Sequence, residues 1–370
     1  MSIRPDGRPP FRAEHVGSLL RPATLRQAFR HHAGGEIGDD EFVRIQDQCI
    51  GDAVRMQEEI GLEVVTDGEF RRGSYWARFV ERTSGLEIRA ASFTFHDDHG
   101  HEMSFTAPYA TASIRRTQPL ALDEFEFLRD ATRVTPKVTL PSPSTMHFLR
   151  CADFADPSVY PDAKSFFDDL AAVFAQEIAE LAAAGCRYLQ IDEVAIALLC
   201  DPAIREKVET VGSDPDRLVD LYIDGINQAV SACPPDVVVG VHMCRGNLKG
   251  HYLGEGSYES VAERFFAGIR ANHFLLEYDT PRAGDFAPLR FVPRTKGVVL
   301  GLVSSKTPEL ERPDALHRRL EDAARYVDLD RLAISPQCGF ASTVAGNPLS
   351  EADERAKLRL VVEVARAAWK

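Results

Sequence analysis

The sequence predicts a (β/α)8 TIM barrel, and three observations carry this fold class. Eight short strand-like segments alternate with longer helix-like segments along the chain. Several strand-like segments are continuous apolar runs, as in parallel strands that are buried on both faces. No G-x-G-x-x-G motif follows the first strand, which weakens the competing interpretation of an open dinucleotide-binding sheet. The eight segments begin near Phe11, Leu62, Pro136, Arg187, Asp236, His273, Gly297 and Leu332.

The segments between the strands have helical spacing. DDEFVRIQDQCIGDAVRMQEEIG begins with an aspartate and ends at Gly61, and DAKSFFDDLAAVFAQEIAELAAAG ends in the same way at Gly185. A glycine just past the last turn is typical of a helix C-terminus. Further helices are predicted in DPDRLVDLYIDGINQAVSA, SYESVAERFFAGI, PELERPDALHRRLEDAARYV and LSEADERAKLRLVVEVARAAW. The polar, glycine-rich stretch from His31 to Asp40 is predicted to be a loop.

One stretch breaks the alternation of strands and helices. Residues 86–122 read as two strands around the turn DDHGH, which predicts a β-hairpin inserted after strand two. The chain has no linker rich in proline, glycine or serine between two halves and no repeat of short period. Residues 1–370 are therefore interpreted as a single domain.

Composition excludes several classes of function. The chain carries 43 basic and 56 acidic residues, so its net charge is −13, which argues against nucleic-acid and anionic-membrane binding. It has no apolar run of transmembrane length and no apolar segment near its start that would indicate a signal peptide. Seven cysteines without regular spacing indicate reduced thiols, and we expect a cytoplasmic location. These numbers are compatible with a homo-oligomer.

Polar residues end all eight predicted strands, where barrel enzymes build their active sites. An alternative for any one strand is that polar residues simply begin the next loop. The joint pattern over eight strands favours a site. These residues are His15, Gly17, Ser18, Asp67, Glu69, Ser142, Ser144, Asp192, Glu193, His242, Cys244, Glu277, Asp279, Ser304, Ser305, Lys306 and Cys338.

Four of these residues have the side chains of a zinc site. His242 and Cys244 are two apart, so on a strand they point to the same face. Glu277 places a carboxylate inside an apolar run, where it must be paired, hydrogen-bonded or metal-bound. Alone, His242, Cys244 and Cys338 would each more often be ordinary buried residues. Because the spacings match whole β/α units, all four can meet at one side of a barrel mouth.

The charge of this set indicates its chemistry. Zn²⁺ with two thiolates and one carboxylate carries one net negative charge, so it is a poor Lewis acid for splitting water. Such a site can still deprotonate an incoming thiol and keep it electron-rich. The expected reaction is alkyl transfer to a substrate sulfur.

At this point the chain resembles the cobalamin-independent methionine synthase family, over its C-terminal catalytic barrel. The matching segments are HVGSLLRP, VVTDGEFRR, QIDEVAIAL, VHMCRGN, FLLEYDT, GLVSSKTPELE and SPQCGF. The resemblance implies Zn²⁺ bound by His242, Cys244, Glu277 and Cys338. It implies a homocysteine-like thiol as substrate and a methyltransferase of methionine biosynthesis.

The resemblance also implies how the amino-acid end of the substrate is held. Asp192, helped by Glu69, would bind the ammonium group, and Val16, Gly17 and Ser18 would bind the carboxylate. This agrees with the physical preference of an ammonium for carboxylates and of a carboxylate for backbone N–H groups. The alternatives are a helix-capping role for Asp192 and, for Glu69, a salt bridge to Arg71 or Arg72.

The chain departs from this family on the donor side. The segment after strand three reads LPSPS and lacks the family's folate-stacking tryptophan, and Lys306 stands where the family has a histidine. Both departures weaken methyltetrahydrofolate as the methyl donor and leave a methylated corrinoid or another small compound as the other candidates. Lys306 and His15 are candidate catalytic groups for proton transfer, although His15 is equally well explained as a packed histidine.

Two other functions stay open. The scaffold is also similar to epoxyalkane:coenzyme M transferases, so the acceptor could be another small thiol such as coenzyme M. A non-catalytic zinc-binding or thiol-binding homologue is the third hypothesis. Outside the site, Tyr75 and Trp76 could wall a donor pocket, with ordinary packing the simpler interpretation. The hairpin histidines His96, His99 and His101 could bind a second metal, but an exposed turn fits them better.

Overall fold

The computed structural model describes residues 7–369 and alternates strands with helices. Helices α1–α12 span Ala23–Ala33, Asp39–Ile60, Ala77–Glu81, Leu122–Ala131, Thr145–Phe148, Ala163–Ala183, Ala195–Leu198, Pro202–Thr210, Pro215–Ala229, Ala262–Gly268, Pro313–Ala323 and Glu351–Ala368. Strands β1–β10 span Val64–Val65, Thr83–His96, Glu102–Arg116, Thr135–Pro136, Val138–Pro141, Tyr188–Glu193, Val238–Met243, His273–Glu277, Gly297–Val303 and Leu332–Pro336. Among the described residues no helix is long and apolar enough to span a membrane.

The strands follow one another in chain order, as in a (β/α)8 barrel. Strands β5 to β10 form a six-stranded parallel sheet with neighbours in sequence order. Strand β1 pairs in parallel with β4, and Ala13 forms a parallel bridge to Ile334 of β10. Strands β5 to β10 are buried along their whole length, because helices cover parallel strands from outside. The predicted α/β class is confirmed.

The first predicted strand is shorter than expected. Near Phe11 the described chain has one bridge at Ala13 in place of a regular strand. Beyond it, side chains replace ladder partners: the Lys137 ammonium donates to the carbonyl of His15, and the Thr66 hydroxyl donates to the carbonyl of Gly17 at 2.6 Å. This segment therefore turns into the barrel mouth instead of continuing as a strand.

Most predicted helices are present. Helix α2 ends at Gly61, which is left-handed with φ of 94°, and α6 is followed by Gly185 with φ of 102°. The predicted loop from His31 to Asp40 is wrong at both ends, since α1 continues to Ala33 and α2 begins at Asp39. Basic residues in the last turn of α1 and acidic ones in the first turn of α2 stabilise these helix ends.

The inserted hairpin is confirmed. Strands β2 and β3 pair antiparallel on either side of a turn in which Asp97 accepts the backbone N–H groups of His99 and His101. Backbone hydrogen bonds tie β2 to the loops of the barrel mouth, from Ser92 to Leu149 and between His96 and Tyr252, each at 2.8 Å. The hairpin is therefore held across the same end of the barrel as the strand-end residues.

The segment that carries the first site residues is anchored by a buried carboxyl group on α12. Glu354 Oε2 accepts the backbone N–H of Leu20 at 2.7 Å, and burial raises the pKa of Glu354 to about 8. Because the folded-state pKa lies above the unfolded one, the native state binds the extra proton. The protonated Glu354 carboxyl group therefore contributes fully to the free energy of unfolding at low pH, and this contribution is lost as pH rises from about 4.5 to about 8.

We expect Glu354→Gln to remove this pH dependence. Glutamine keeps an oxygen for the Leu20 N–H without a buried charge, so at pH 8.5 the variant should be about 1–3 kcal/mol more stable than the parent, with little difference at pH 5. Denaturant unfolding at both pH values measures this. Glu363→Gln, an exposed change on the same helix, is the control. Equal pH dependence in Glu354→Gln and the parent chain would contradict the assignment.

Candidate active site

The four predicted metal ligands lie together at the barrel mouth. His242 is in β7, Glu277 ends β8, and Cys244 and Cys338 follow β7 and β10. All four are buried, and one ligand atom from each lies within 4.8 Å of the other three. No other group of histidine, cysteine and acidic side chains among residues 7–369 has a comparable arrangement. The His242–Cys244 spacing and the strand ends thus bring together residues almost a hundred positions apart.

The unsatisfied atoms of this group fit a metal ion. His242 Nδ1 lies 3.2 Å from the carbonyl of Leu275, which can only accept, so this nitrogen carries a proton and Nε2 is the ring nitrogen available to a metal ion. His242 Nε2 and Glu277 Oε2 are both buried without a hydrogen-bond partner. A buried polar atom with no partner is costly, and coordination to zinc would satisfy both atoms.

The thiol groups of Cys244 and Cys338 shift each other's pKa in opposite directions. Their sulfur atoms are 3.4 Å apart. Cys244 donates a hydrogen bond to the sulfur of Cys338, and this bond, together with the neighbouring His242, holds the pKa of Cys338 well below its usual range. The same hydrogen bond, together with burial, raises the pKa of Cys244. A thiolate is therefore already favoured at Cys338, and a cation placed between the sulfurs would favour a second.

The predicted substrate-binding residues share one cavity with three of these ligands. Val16, Ser18, Glu69 and Asp192 line it together with His242, Cys244 and Cys338. Gly17 lies behind the wall with φ of 149°, and a Cβ there would meet the Thr139 methyl group at 2.7 Å. Only glycine therefore suits this turn.

Two buried acidic side chains, Asp192 and Glu69, line the cavity. Burial raises the pKa of Asp192 to about 7. Glu69 Oε1 accepts from the Thr139 hydroxyl at 2.8 Å, and its Oε2 is buried without a partner. The alternative salt bridge from Glu69 to Arg72 is long, at 3.6 Å, because that guanidinium pairs with Glu124 at 2.6 Å. Glu69 thus keeps an oxygen free for a ligand cation.

Comparison with known proteins identifies the family of this chain. A family model described as "Cobalamin-independent synthase, Catalytic domain" matches residues 11–367. The chain belongs to this family. It is 41% identical to the uncharacterized protein YxjH of Bacillus subtilis, over 98% of this chain and 95% of that one. It is 26% identical to a methionine synthase of Pyrococcus abyssi, over 88% and 85% of the two chains.

Solved structures give the same result. A putative vitamin-B12 independent methionine synthase from Listeria monocytogenes superposes with a TM-score of 0.76 at 32% identity, and 98% of each chain is covered. A B12-independent methionine synthase from Shewanella sp. W3-18-1, in complex with selenomethionine, has the same fold at a TM-score of 0.74 and 20% identity, over 96% and 97% of the two chains.

Two candidate catalytic residues of this cobalamin-independent synthase relative lie off the cavity wall. Lys306 Nζ donates to the carbonyl of Gly246 at 2.9 Å, to Asn247 Oδ1 at 3.2 Å and to the carbonyl of His251 at 3.3 Å. It thereby braces the loop after β7. His15 is buried, and burial, followed by the charge of Lys137, holds its pKa well below the ordinary value. A role for either in proton transfer stays a prediction.

The cavity wall also contains four aromatic residues, of which the sequence predicted only Tyr75 and Trp76 as candidates for a donor pocket. The other two are Phe95 and Phe105 of the hairpin. A sequence signal existed, since aromatic residues recur along both hairpin strands, but only the fold turns those strands toward the barrel mouth. The hairpin histidines have another role: His101 Nδ1 is 2.8 Å from Asp97 Oδ2, within the turn.

A buried network holds Val16 and Asp192, two of the predicted substrate-binding residues, at once. Gln190 Nε2 donates to the carbonyl of Val16 at 2.6 Å and to Asp192 Oδ1 at 2.7 Å. Its Oε1 accepts from Lys137 Nζ at 3.0 Å, and that ammonium is 3.2 Å from Glu14 Oε2. Gln190 was not expected as a site residue, because a glutamine in a buried strand carries no chemical signature in a single sequence.

We expect Gln190→Met to weaken acceptor binding more than catalysis. Methionine keeps the volume but frees the Val16 carbonyl and Asp192, so KM for the acceptor thiol should rise about 10-fold or more while kcat changes less than about 3-fold. Steady-state kinetics measures the split. Gln57→Met is the matched control, because Gln57 is equally buried and bonds the backbone of Ala53 and Thr66. An equal rise in KM for the control would contradict a positioning role.

Proposed function

We propose that this chain is a methyltransferase that moves a methyl group to the thiol of homocysteine or a close analogue. The observation that carries the proposal is the cavity in which the four-residue ligand group adjoins two buried carboxylates and the Val16–Ser18 turn. Membership of the cobalamin-independent synthase family supports it. The fully matched solved relative from Listeria monocytogenes, titled a putative methionine synthase, supports it further.

The ligand group fits zinc by its chemistry. Two sulfurs, one imidazole nitrogen and one carboxylate oxygen are a donor set for Zn²⁺ and a poor one for magnesium or calcium. When bound, zinc would lower the pKa of an acceptor thiol so that it reacts as a thiolate near neutral pH.

The residues around the cavity would orient the acceptor. Asp192 and Oε2 of Glu69 would hold its ammonium group, and the turn from Val16 to Ser18 would hold its carboxylate. With both ends fixed, the acceptor sulfur would share the cavity with the aromatic side chains, and that cavity would also have to hold the methyl donor for in-line transfer. Methyltetrahydrofolate and a methylated corrinoid are the donors that the family resemblance brings forward.

Methionine formation by purified, zinc-replete protein tests the proposal. Homocysteine is supplied separately with methyltetrahydrofolate, with methylcobalamin, with S-methylmethionine and with trimethylsulfonium. Methionine is measured by mass spectrometry. We expect product with at least one donor, and none with Cys244→Ser. Cys151→Ser, a buried cysteine outside the ligand group, should retain activity. Thiol binding without methionine from any donor would instead favour a non-catalytic binding protein.

A further inference from the structure

Part of the cavity lining is an aromatic and aliphatic compartment, to which the inserted hairpin contributes Phe95 and Phe105. Its polar surface is limited to a few hydroxyl and amide groups such as those of Ser74 and Asn247. The aromatic and aliphatic side chains that define it are Tyr75, Trp76, Phe95, Phe105, Leu248 and Leu253. A donor in this compartment would lie among aromatic side chains.

The compartment is small and the hairpin strand that contributes Phe95 is held in place. The cavity volume is about 310 Å³, at the low end for small-ligand sites, and the acceptor must occupy part of it. Strand β2 forms paired backbone hydrogen bonds between His96 and Tyr252 and another from Ser92 to Leu149. A small donor therefore fits beside the acceptor within this volume.

The charge of the cavity excludes an anionic donor. Among the described residues that line it none is lysine or arginine, whereas Glu69 and Asp192 are carboxylates. The nearby cationic groups do not line the cavity and donate elsewhere: Arg72 to Glu124, Arg245 to the Tyr258 hydroxyl at 2.8 Å, and Lys306 to the carbonyl of Gly246. A negatively charged donor would lose its hydration without gaining a counter-charge.

From these observations we propose that the methyl donor is a small onium cation, with its methyl group on a positively charged sulfur or nitrogen. This inference rests on the proposed methyl transfer to a thiol and names its second substrate class. Onium groups are strongly attracted to aromatic ring faces in a water-poor site. The side chains of Glu69 and Asp192, which line the same cavity, add a favourable field for a cation.

The reaction balances without a proton donor on the aromatic wall. The acceptor thiol first loses its proton to solvent water, and its sulfur then attacks the methyl carbon. The new sulfur–carbon bond forms as the bond from carbon to the onium atom breaks. That bond's electron pair stays on the onium atom, which leaves as a neutral thioether or amine. This agrees with Lys306 being committed to the loop of Gly246 and His251.

Binding and turnover test the inference separately. Calorimetry on the zinc-replete protein compares choline with its neutral isostere 3,3-dimethylbutan-1-ol, and also measures trimethylsulfonium. We expect both cations to bind about 10-fold or more tightly than the neutral isostere. Phe105→Leu, which keeps an apolar side chain but removes a ring face, should weaken cation binding about 3- to 10-fold. Phe127→Leu, a half-buried phenylalanine that does not line the cavity, is the control.

The outcomes separate this inference from the proposed function. Methionine from homocysteine with S-methylmethionine or trimethylsulfonium, and not with methyltetrahydrofolate or methylcobalamin, supports both. Methionine from the folate or the corrinoid alone overturns the onium donor and leaves the proposed function standing. Equal binding of choline and its neutral isostere also overturns the onium donor. Methionine from no donor, with the cation preference intact, overturns the proposed function while the cation-binding compartment stands.

Discussion

Cys338→Ser is expected to lower the zinc content of the purified protein from about one ion per chain to less than about a tenth. Serine cannot supply a thiolate, and zinc sites lose most of their affinity when one soft ligand is removed. The remaining His242 nitrogen, Cys244 sulfur and Glu277 oxygen would form an open, three-ligand group. Elemental analysis after dialysis against a weak chelator measures the loss.

Cys186→Ser is the matched control for this experiment. Cys186 is buried like Cys338. Among the described residues its sulfur has one hydrogen-bond partner, the backbone carbonyl of Tyr188. We expect its zinc content to equal that of the parent chain and its stability to fall slightly. Full zinc occupancy in Cys338→Ser would contradict the proposed ligand set and, with it, the thiol-activating chemistry.

Asp192→Asn is expected to reduce kcat/KM for homocysteine about 100-fold or more. Asparagine keeps the shape of Asp192 but removes the charge that would pair with the substrate ammonium in a buried site, a loss of about 3 kcal/mol or more. Zinc content should not change, because Asp192 is not in the ligand group. Kinetics at saturating donor measures the effect.

The desamino analogue 4-sulfanylbutanoate makes this prediction specific. It has the same thiol and carboxylate but no ammonium, so Asp192→Asn should change its kcat/KM less than about 3-fold. Equal losses for homocysteine and the analogue would show that Asp192 acts on structure or on the metal group. Undiminished activity of Asp192→Asn toward coenzyme M, without activity toward homocysteine in the parent chain, would favour the sulfonate acceptor.

Local patterns in the chain were sufficient to predict the four-residue ligand group. A histidine and a cysteine two apart, a carboxylate inside an apolar run and a second cysteine each stand at a predicted strand end. In parallel α/β folds those ends face the same side. The spacing of His242, Cys244, Glu277 and Cys338 therefore carried three-dimensional information without any contact being known. The inserted hairpin was equally predictable, because its turn interrupts two clear strands.

Other features could not be read from the chain. Near His15 the first strand gives way to side-chain contacts from Lys137 and Thr66, which lie far along the chain. Strand periodicity alone gave no sign of this replacement. The short helices of the barrel mouth were missed for a similar reason, since a few residues carry too little periodicity to indicate a helix.

The sequence by itself determined the alternation of strands and helices, the ligand group and the family, because these depend on local spacing and residue type. Only the tertiary structure decided what surrounds the ligands. Gln190 reaches the Val16 carbonyl across 174 positions, and Phe105 reaches the cavity because the hairpin folds back over the barrel. Side chains that meet only through long-range packing leave no periodic trace in a single sequence. The aromatic residues of the hairpin that line the cavity could therefore be identified only from the folded chain.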